Sequence, residues 1–199
     1  MRTISLQKGF TLMETLIAIT ILVTAIAGPM TIAARGLQTA YYSKDEMVAV
    51  FLAQEAIELV RMKRDQYALA NSGSSFGWYN ASTDVNGVPT ICKELFTVAD
   101  DHGCGIDTRA KTFFDCGTDG GGCRLKYDSA TAASVNGSYF NNAVSGGALS
   151  PYTRKLFIYD YSSPNDREIV VTARVSWQAN LFSGRKQITI QERLFDHYR

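Results

Sequence analysis

The chain has 199 residues, 46% of them hydrophobic and 20% charged, with 20 basic against 19 acidic side chains and a net charge of +1. That length holds one small core behind an extended segment rather than two comfortable domains, and the balanced charge carries no electrostatic footprint for nucleic acid. The sequence has no phosphate-cradling glycine loop or nucleotide fingerprint, and its two histidines, His102 and His197, stand without a nucleophile or carboxylate constellation, so nothing in it reads as an enzyme.

Residues 15–34 form a run of 20 without a charge, enough for a helix to cross a bilayer's hydrocarbon core. One carboxylate, Glu14, sits at the mouth of this run. An ionisable group in lipid costs at least a few kcal/mol and by default marks a functional partner. A secretory signal peptide over residues 1–27 would use Arg2 and Lys8 as its basic region and Ala25-Ile26-Ala27 as its cleavage site. An uncleaved anchor would keep Arg2 and Lys8 on the cytoplasmic side. Neither gives Glu14 a purpose.

The segment Lys8-Gly9-Phe10-Thr11-Leu12-Met13-Glu14, behind a short basic leader and ahead of the apolar run, closely resembles the processing motif of type IV prepilins and pseudopilins. The resemblance implies cleavage between Gly9 and Phe10 by a prepilin peptidase, N-methylation of Phe10, and pairing of Glu14 with a neighbouring subunit's amine during assembly. It divides the chain into a leader over residues 1–9, an N-terminal helix over 10–67 with its transmembrane and filament-core part at 10–34, and a globular head over 68–199. It also implies partners: the peptidase, other pilin or pseudopilin subunits, an inner-membrane assembly platform and lipid. The location it implies is a single pass through the bacterial inner membrane with the head extracytoplasmic, then a pilus or pseudopilus. Loss of the leader removes Arg2 and Lys8, leaving 18 basic against 19 acidic side chains, a net −1.

The helical pattern continues past the span. Residues 41–65 contain no Gly or Pro, and Val48, Phe51, Leu52, Ala56, Leu59 and Val60 recur at three- and four-residue spacing, as one apolar face requires. Glu58 and Arg61 lie three apart on the charged side and can support each other. A helix over residues 10–67 would be roughly 85 Å long at 1.5 Å per residue. Gly28-Pro29 interrupts its first half, where the missing donor and the proline ring predict a kink or local unwinding. Prolines are also tolerated in membrane helices without a role.

Residues 70–87 are rich in Asn, Ser and Gly and read as a loop. Strands are expected at residues 90–98 (Ile91, Leu95, Val98) and 124–127, with a loop from there to Ser150. The clearest strand signal is Ile169, Val171, Ala173, Val175 and Trp177 alternating with Val170, Thr172, Arg174 and Ser176. Residues 155–161 and 186–193 flank it, with turns at residues 162–166 and at Ser183-Gly184, which makes an antiparallel meander. The expected fold is α+β, a long N-terminal helix whose distal half packs on a C-terminal antiparallel sheet. That order is similar to a pilin head, and residues 171–177 loosely resemble a strand of PilV-like minor pilins and minor pseudopilins.

All four cysteines, Cys92, Cys104, Cys116 and Cys123, fall in the head. Outside the cytoplasm an even count favours two disulfides, with three connectivities open. Cys92 with Cys104 and Cys116 with Cys123 is preferred, because Gly117 and Gly120-Gly121-Gly122 make the second loop flexible enough to close. The competing reading is a metal site from His102, Cys104, Cys116 and Cys123, which lacks a Cys-x-x-Cys pair. Asp115, Gly117, Asp119 and Gly120 partly match a calcium loop, with Asp100 and Asp101 as further oxygen sources, but Gly117 and Lys126 stand where two oxygen ligands belong. No cofactor is expected. Phe76, Trp78 and Tyr79 are read as aromatics packing around the head. The functional reading is a structural subunit of pilin type, minor rather than major, and the alternative is a membrane-anchored or secreted adhesive module that never polymerises.

Overall fold

The computed structural model describes residues 9, 11–70, 92, 103–108, 110–117, 121–127, 139–141, 147–160, 168–180 and 183–195. The strand signal expected at residues 90–98 and the loop at 71–87 therefore lie outside the described residues, apart from Cys92. That residue is buried and has 3-10 geometry, not extended backbone.

Helix α1 spans Leu12–Ala70, and the chain divides into two compact units, Met1–Lys44 and Asp45–Arg199. In the first unit the helix runs through Gly28 and Pro29 without a break, so the local unwinding expected there is absent. Pro29 removes only its own N–H, and the hydroxyl of Thr31 donates to the Gly28 carbonyl at 2.7 Å.

In the second unit the rest of α1 packs on an antiparallel sheet with seven strands among the described residues. The strands are β1 (Cys104–Asp107), β2 (Thr112–Asp115), β3 (Arg124–Tyr127), β4 (Tyr139–Asn141), β5 (Ala148–Asp160), β6 (Glu168–Asn180) and β7 (Ser183–Phe195). β5, β6 and β7 form the predicted meander. The free edge of β5 is shared by β3 near its start, with β4 outside it, and by β1 near Leu156, with β2 outside it. Ser183 and Gly184 belong to β7, with Ser183 opposite Asn180, so the turn expected at these two residues is not there. The turn expected at residues 162–166 lies outside the described residues.

The loop expected up to Ser150 is also corrected. β4 forms within it, and β5 starts at Ala148, pairing Ala148 with Tyr127 and Leu149 with Lys126. From there the strand alternates, with Ser150, Tyr152, Arg154, Leu156 and Ile158 buried. Pro151 has no N–H for a ladder. It sits where the β3–β5 register slips between Arg124 and Lys126, the kind of bulge that accommodates proline.

The core joins Ala49, Leu52, Ala53, Ala56, Ile57 and Val60 of α1 to Ile106, Leu125, Leu156, Ile158, Leu194 and the whole inward row of β6, from Ile169 to Trp177. Phe51, expected in the apolar stripe, is 62% exposed, while Val48 is only partly buried. The buried face is centred on the alanines, whose small side chains let helix and sheet approach, and each residue turns the helix by about 100°, which carries Phe51 out of it. Glu58 and Arg61 pair as expected, and Arg61 Nε also donates to Glu192 of β7 at 2.8 Å, so this arginine ties helix to sheet.

Two disulfides form, Cys92 with Cys104 and Cys116 with Cys123. The second closes a loop in which Gly122 N donates to the Cys116 carbonyl at 3.0 Å, a contact too close for any Cβ at position 122.

Among the described residues Arg154 is the one buried cation of the core, 1% exposed. It donates to the Leu52 carbonyl at 3.1 Å, to Glu55 Oε2 at 2.6 Å and to the Ile106 carbonyl at 2.9 Å. It thus joins α1, β5 and β1. Burial pushes its pKa down, and the Glu55 carboxylate opposes that shift.

Rings of Tyr127, Tyr139, Tyr152 and Trp177 follow one another at centroid distances of 5.0, 5.5 and 6.4 Å. Tyr152, third in this row, donates its hydroxyl to Asp45 Oδ1 at 3.1 Å. Burial, then the neighbouring Asp45 charge, push the Tyr152 pKa up. The folded state holds the neutral phenol, so its stabilisation is complete below the unfolded pKa of about 10 and is lost as pH rises above it, at up to about 1.4 kcal/mol per pH unit. Denaturant midpoints between pH 9 and 12 should fall steeply for the parent and less steeply for Tyr152→Phe; equal slopes would refute this assignment.

Candidate functional site at the start of the helix

Thr11 begins the helix. Its hydroxyl accepts from the Glu14 amide at 3.3 Å, and its carbonyl accepts from the amides of Glu14 and Thr15 at 3.0 and 3.2 Å. These contacts satisfy donors that a helix start otherwise leaves open. Thr11-x-x-Glu14 also has the spacing of a capping box, in which the acid reaches back to the cap residue's amide. Sequence reasoning missed this role for Thr11 although the pattern was legible. Among the described residues the Glu14 carboxylate has no hydrogen bond or ion pair, so this structure leaves it available.

Beyond the cap, α1 buries its polarity within itself. Thr15, Thr20, Thr24, Thr31 and Thr39 each donate their hydroxyl to a carbonyl three or four residues earlier, at 2.7–3.0 Å. A helix in hydrocarbon needs this, since no water is there to satisfy a hydroxyl. The apolar side chains point outward: Leu16, Ile17, Ile19, Ile21, Leu22, Val23, Ile26 and Ile32 are all exposed. α1 is the one described helix long and apolar enough to cross a membrane. Between Leu12 and Ala34 Glu14 alone is charged.

Gly9 is described and exposed, while Phe10, the residue expected to become the methylated N-terminus, lies outside the described residues. The metal reading from the cysteines fails on availability, because Cys104 and Cys116 are in disulfides with Cys92 and Cys123; His102 lies outside the described residues. Of the calcium loop, Asp115 Oδ1 accepts from Gly117 N at 2.8 Å, an ordinary local turn, and Lys126 is in β3. Asp100, Asp101, Asp119 and Gly120 lie outside the described residues, as do His197, Phe76, Trp78 and Tyr79. Among the described residues no group of three His, Cys, Asp or Glu side chains could hold a metal ion.

No curated protein and no solved structure matches the chain significantly. Residues 4–28 match the family model described as the prokaryotic N-terminal methylation motif. That match covers residues 4–8 of the leader, the Gly9-Phe10 junction, Glu14 and the apolar run as far as Gly28, and it favours a structural protein over an enzyme. The chain therefore carries the N-terminal methylation signature on a helix fit for a single membrane pass, which supports a prepilin-processed protein of type IV pilin-like kind.

Proposed function

We propose that the chain is a minor structural subunit of a type IV pilus or secretion pseudopilus, cut between Gly9 and Phe10, methylated at Phe10, and held in the inner membrane by α1 before assembly. The observation that carries this reading is the carboxylate of Glu14, unpartnered among the described residues in a helix whose threonines are all satisfied internally. A neighbour's Phe10 amine is the cation that would neutralise it. In an apolar bundle, that pair sets the axial register, while the exposed Leu, Ile and Val side chains supply non-directional attraction. The prepilin peptidase, sibling pilin subunits and an inner-membrane assembly platform are the partners this requires. Gly28 and Pro29 mark where the helix would extend on leaving the membrane, since Pro29 has already removed one backbone bond there.

Mass spectrometry of the purified protein tests the processing, and co-purification with sheared filaments tests assembly. The expected N-terminus is N-methylated Phe10, in protein that sediments with filaments. A start at Gly28 or an intact Met1 would overturn the proposal. Correctly processed protein that never enters filaments would leave instead the anchored adhesive module.

A further inference from the structure

On the sheet face turned away from α1, at the end where β3, β5, β6 and β7 lie side by side, there is an open groove of about 510 Å³. Its side chains form two rungs. Arg124, Thr153 and Ser176 are register partners across β3, β5 and β6, and Gln178 with Arg185 forms the next rung across β6 and β7. Pro151 lies two residues before Thr153 and completes the floor. Side chains alternate along a strand, so this register puts all six on one face.

The groove's charge is one-sided. Among the described residues its lining holds two arginines and no carboxylate. Elsewhere in this unit Arg61, Arg64, Arg154 and Arg193 each pair with an Asp or Glu. Arg124 has a different anchor: its Nε donates to the Ser150 carbonyl at 2.8 Å, which fixes the guanidinium at the groove wall. Arg185 is exposed at the opposite wall. Neither has a carboxylate partner among the described residues. The two backbones are three strands apart, roughly 14 Å at about 4.8 Å per strand, with two hydroxyls and an amide between them.

We infer that this groove binds an acidic, hydroxyl-bearing ligand of the uronate class, its carboxylates held by Arg124 and Arg185 and its hydroxyls by Thr153, Ser176 and Gln178. Guanidinium forks match carboxylates in a two-bond geometry that a lysine cannot reproduce. Thr153, Ser176 and Gln178 both donate and accept, as sugar hydroxyls require. Pro151 offers an apolar surface to a ring face. The volume lies within the roughly 300–1,000 Å³ usual for small-ligand sites. A nucleic-acid strand fits less well, because the one aromatic among the described lining residues, Trp177, is buried in the core and offers no exposed face on which bases would stack. The inference is independent of filament assembly, since every residue in it belongs to the second unit.

The test is calorimetric titration of the full chain in detergent with tetragalacturonate, galacturonate, neutral maltotetraose and a single-stranded oligonucleotide. Tetragalacturonate should bind saturably and more tightly than the monomer if both arginines are engaged, and maltotetraose should not bind. Arg185→Gln should weaken tetragalacturonate at least tenfold. Lys186→Gln, the same charge change on the opposite face of the strand, should leave it within twofold. Arg124→Gln should behave like Arg185→Gln, and Arg185→Gln keeps the test open if loss of the Ser150 contact unfolds the former. No uronate binding, equal weakening by Arg185→Gln and Lys186→Gln, or binding of the oligonucleotide in place of the uronate would each overturn the inference.

Discussion

Glu14→Gln is expected to be cleaved after Gly9 and methylated as the parent is, yet to accumulate in the membrane as processed, unassembled subunit. The substitution discriminates between the two roles available to this side chain. At the third position of a helix Gln serves a capping box as Glu does, so the contacts from Thr11 survive and the helix still starts there. Only the charge is lost. Removing one member of a desolvated ion pair costs about 3–5 kcal/mol, because the partner amine is left uncompensated in an apolar bundle. At 1.4 kcal/mol per tenfold, that is a hundredfold or more in incorporation. The gain from no longer burying a carboxylate is smaller, since the proposed partner had already neutralised it. Immunoblots of sheared filaments and of membranes, normalised to total protein, read the outcome. Incorporation at the parental level would show that the Glu14 charge does not set the register, leaving processing as the part of the proposal that stands.

Arg154→Ala should destabilise the second unit by about 3–4 kcal/mol, combining the loss of three hydrogen bonds with a cavity between helix and sheet. The Ile106 carbonyl would lose its Arg154 donor, whereas Glu55, whose side chain is 44% exposed, can turn to water. The remaining cost therefore falls on packing and on that carbonyl, not on a stranded charge. For a unit of this size the melting temperature should drop by roughly 10 °C. Arg154→Met separates the two components, since it refills most of the volume without donors. It should recover part of the loss. Thermal melts of the full chain in detergent, followed by near-ultraviolet circular dichroism, provide the measurement. A parental melting temperature for Arg154→Ala would mean that burying the guanidinium costs as much as its hydrogen bonds return.

Much of this protein was decided locally and so could be read from the sequence. The apolar run needs only length and composition, and the Gly9-Phe10 junction and Glu14 stand at fixed spacing from its start. The inward row of β6 shows as strict alternation from Ile169 to Trp177, a period-two signal that needs no partner to be visible. The segment around Ser150 carried no such signal. Ala148–Pro151 becomes strand because β3 supplies its pairing, and strand formation depends on cross-strand neighbours more than on intrinsic preference. The same dependence hid Arg154, which reads as a surface cation until Leu52, Glu55 and Ile106 converge on it. It also set which face of α1 is covered, turning Phe51 outward and placing the alanines against the sheet. Composition suggested no ligand because the groove's residues are spread over four strands; only their register brings Arg124, Thr153, Ser176, Gln178 and Arg185 to one face. Spacing along the chain determined the membrane segment and its processing signal, while long-range pairing, which sums contacts between residues far apart in sequence, decided where the head keeps its charge.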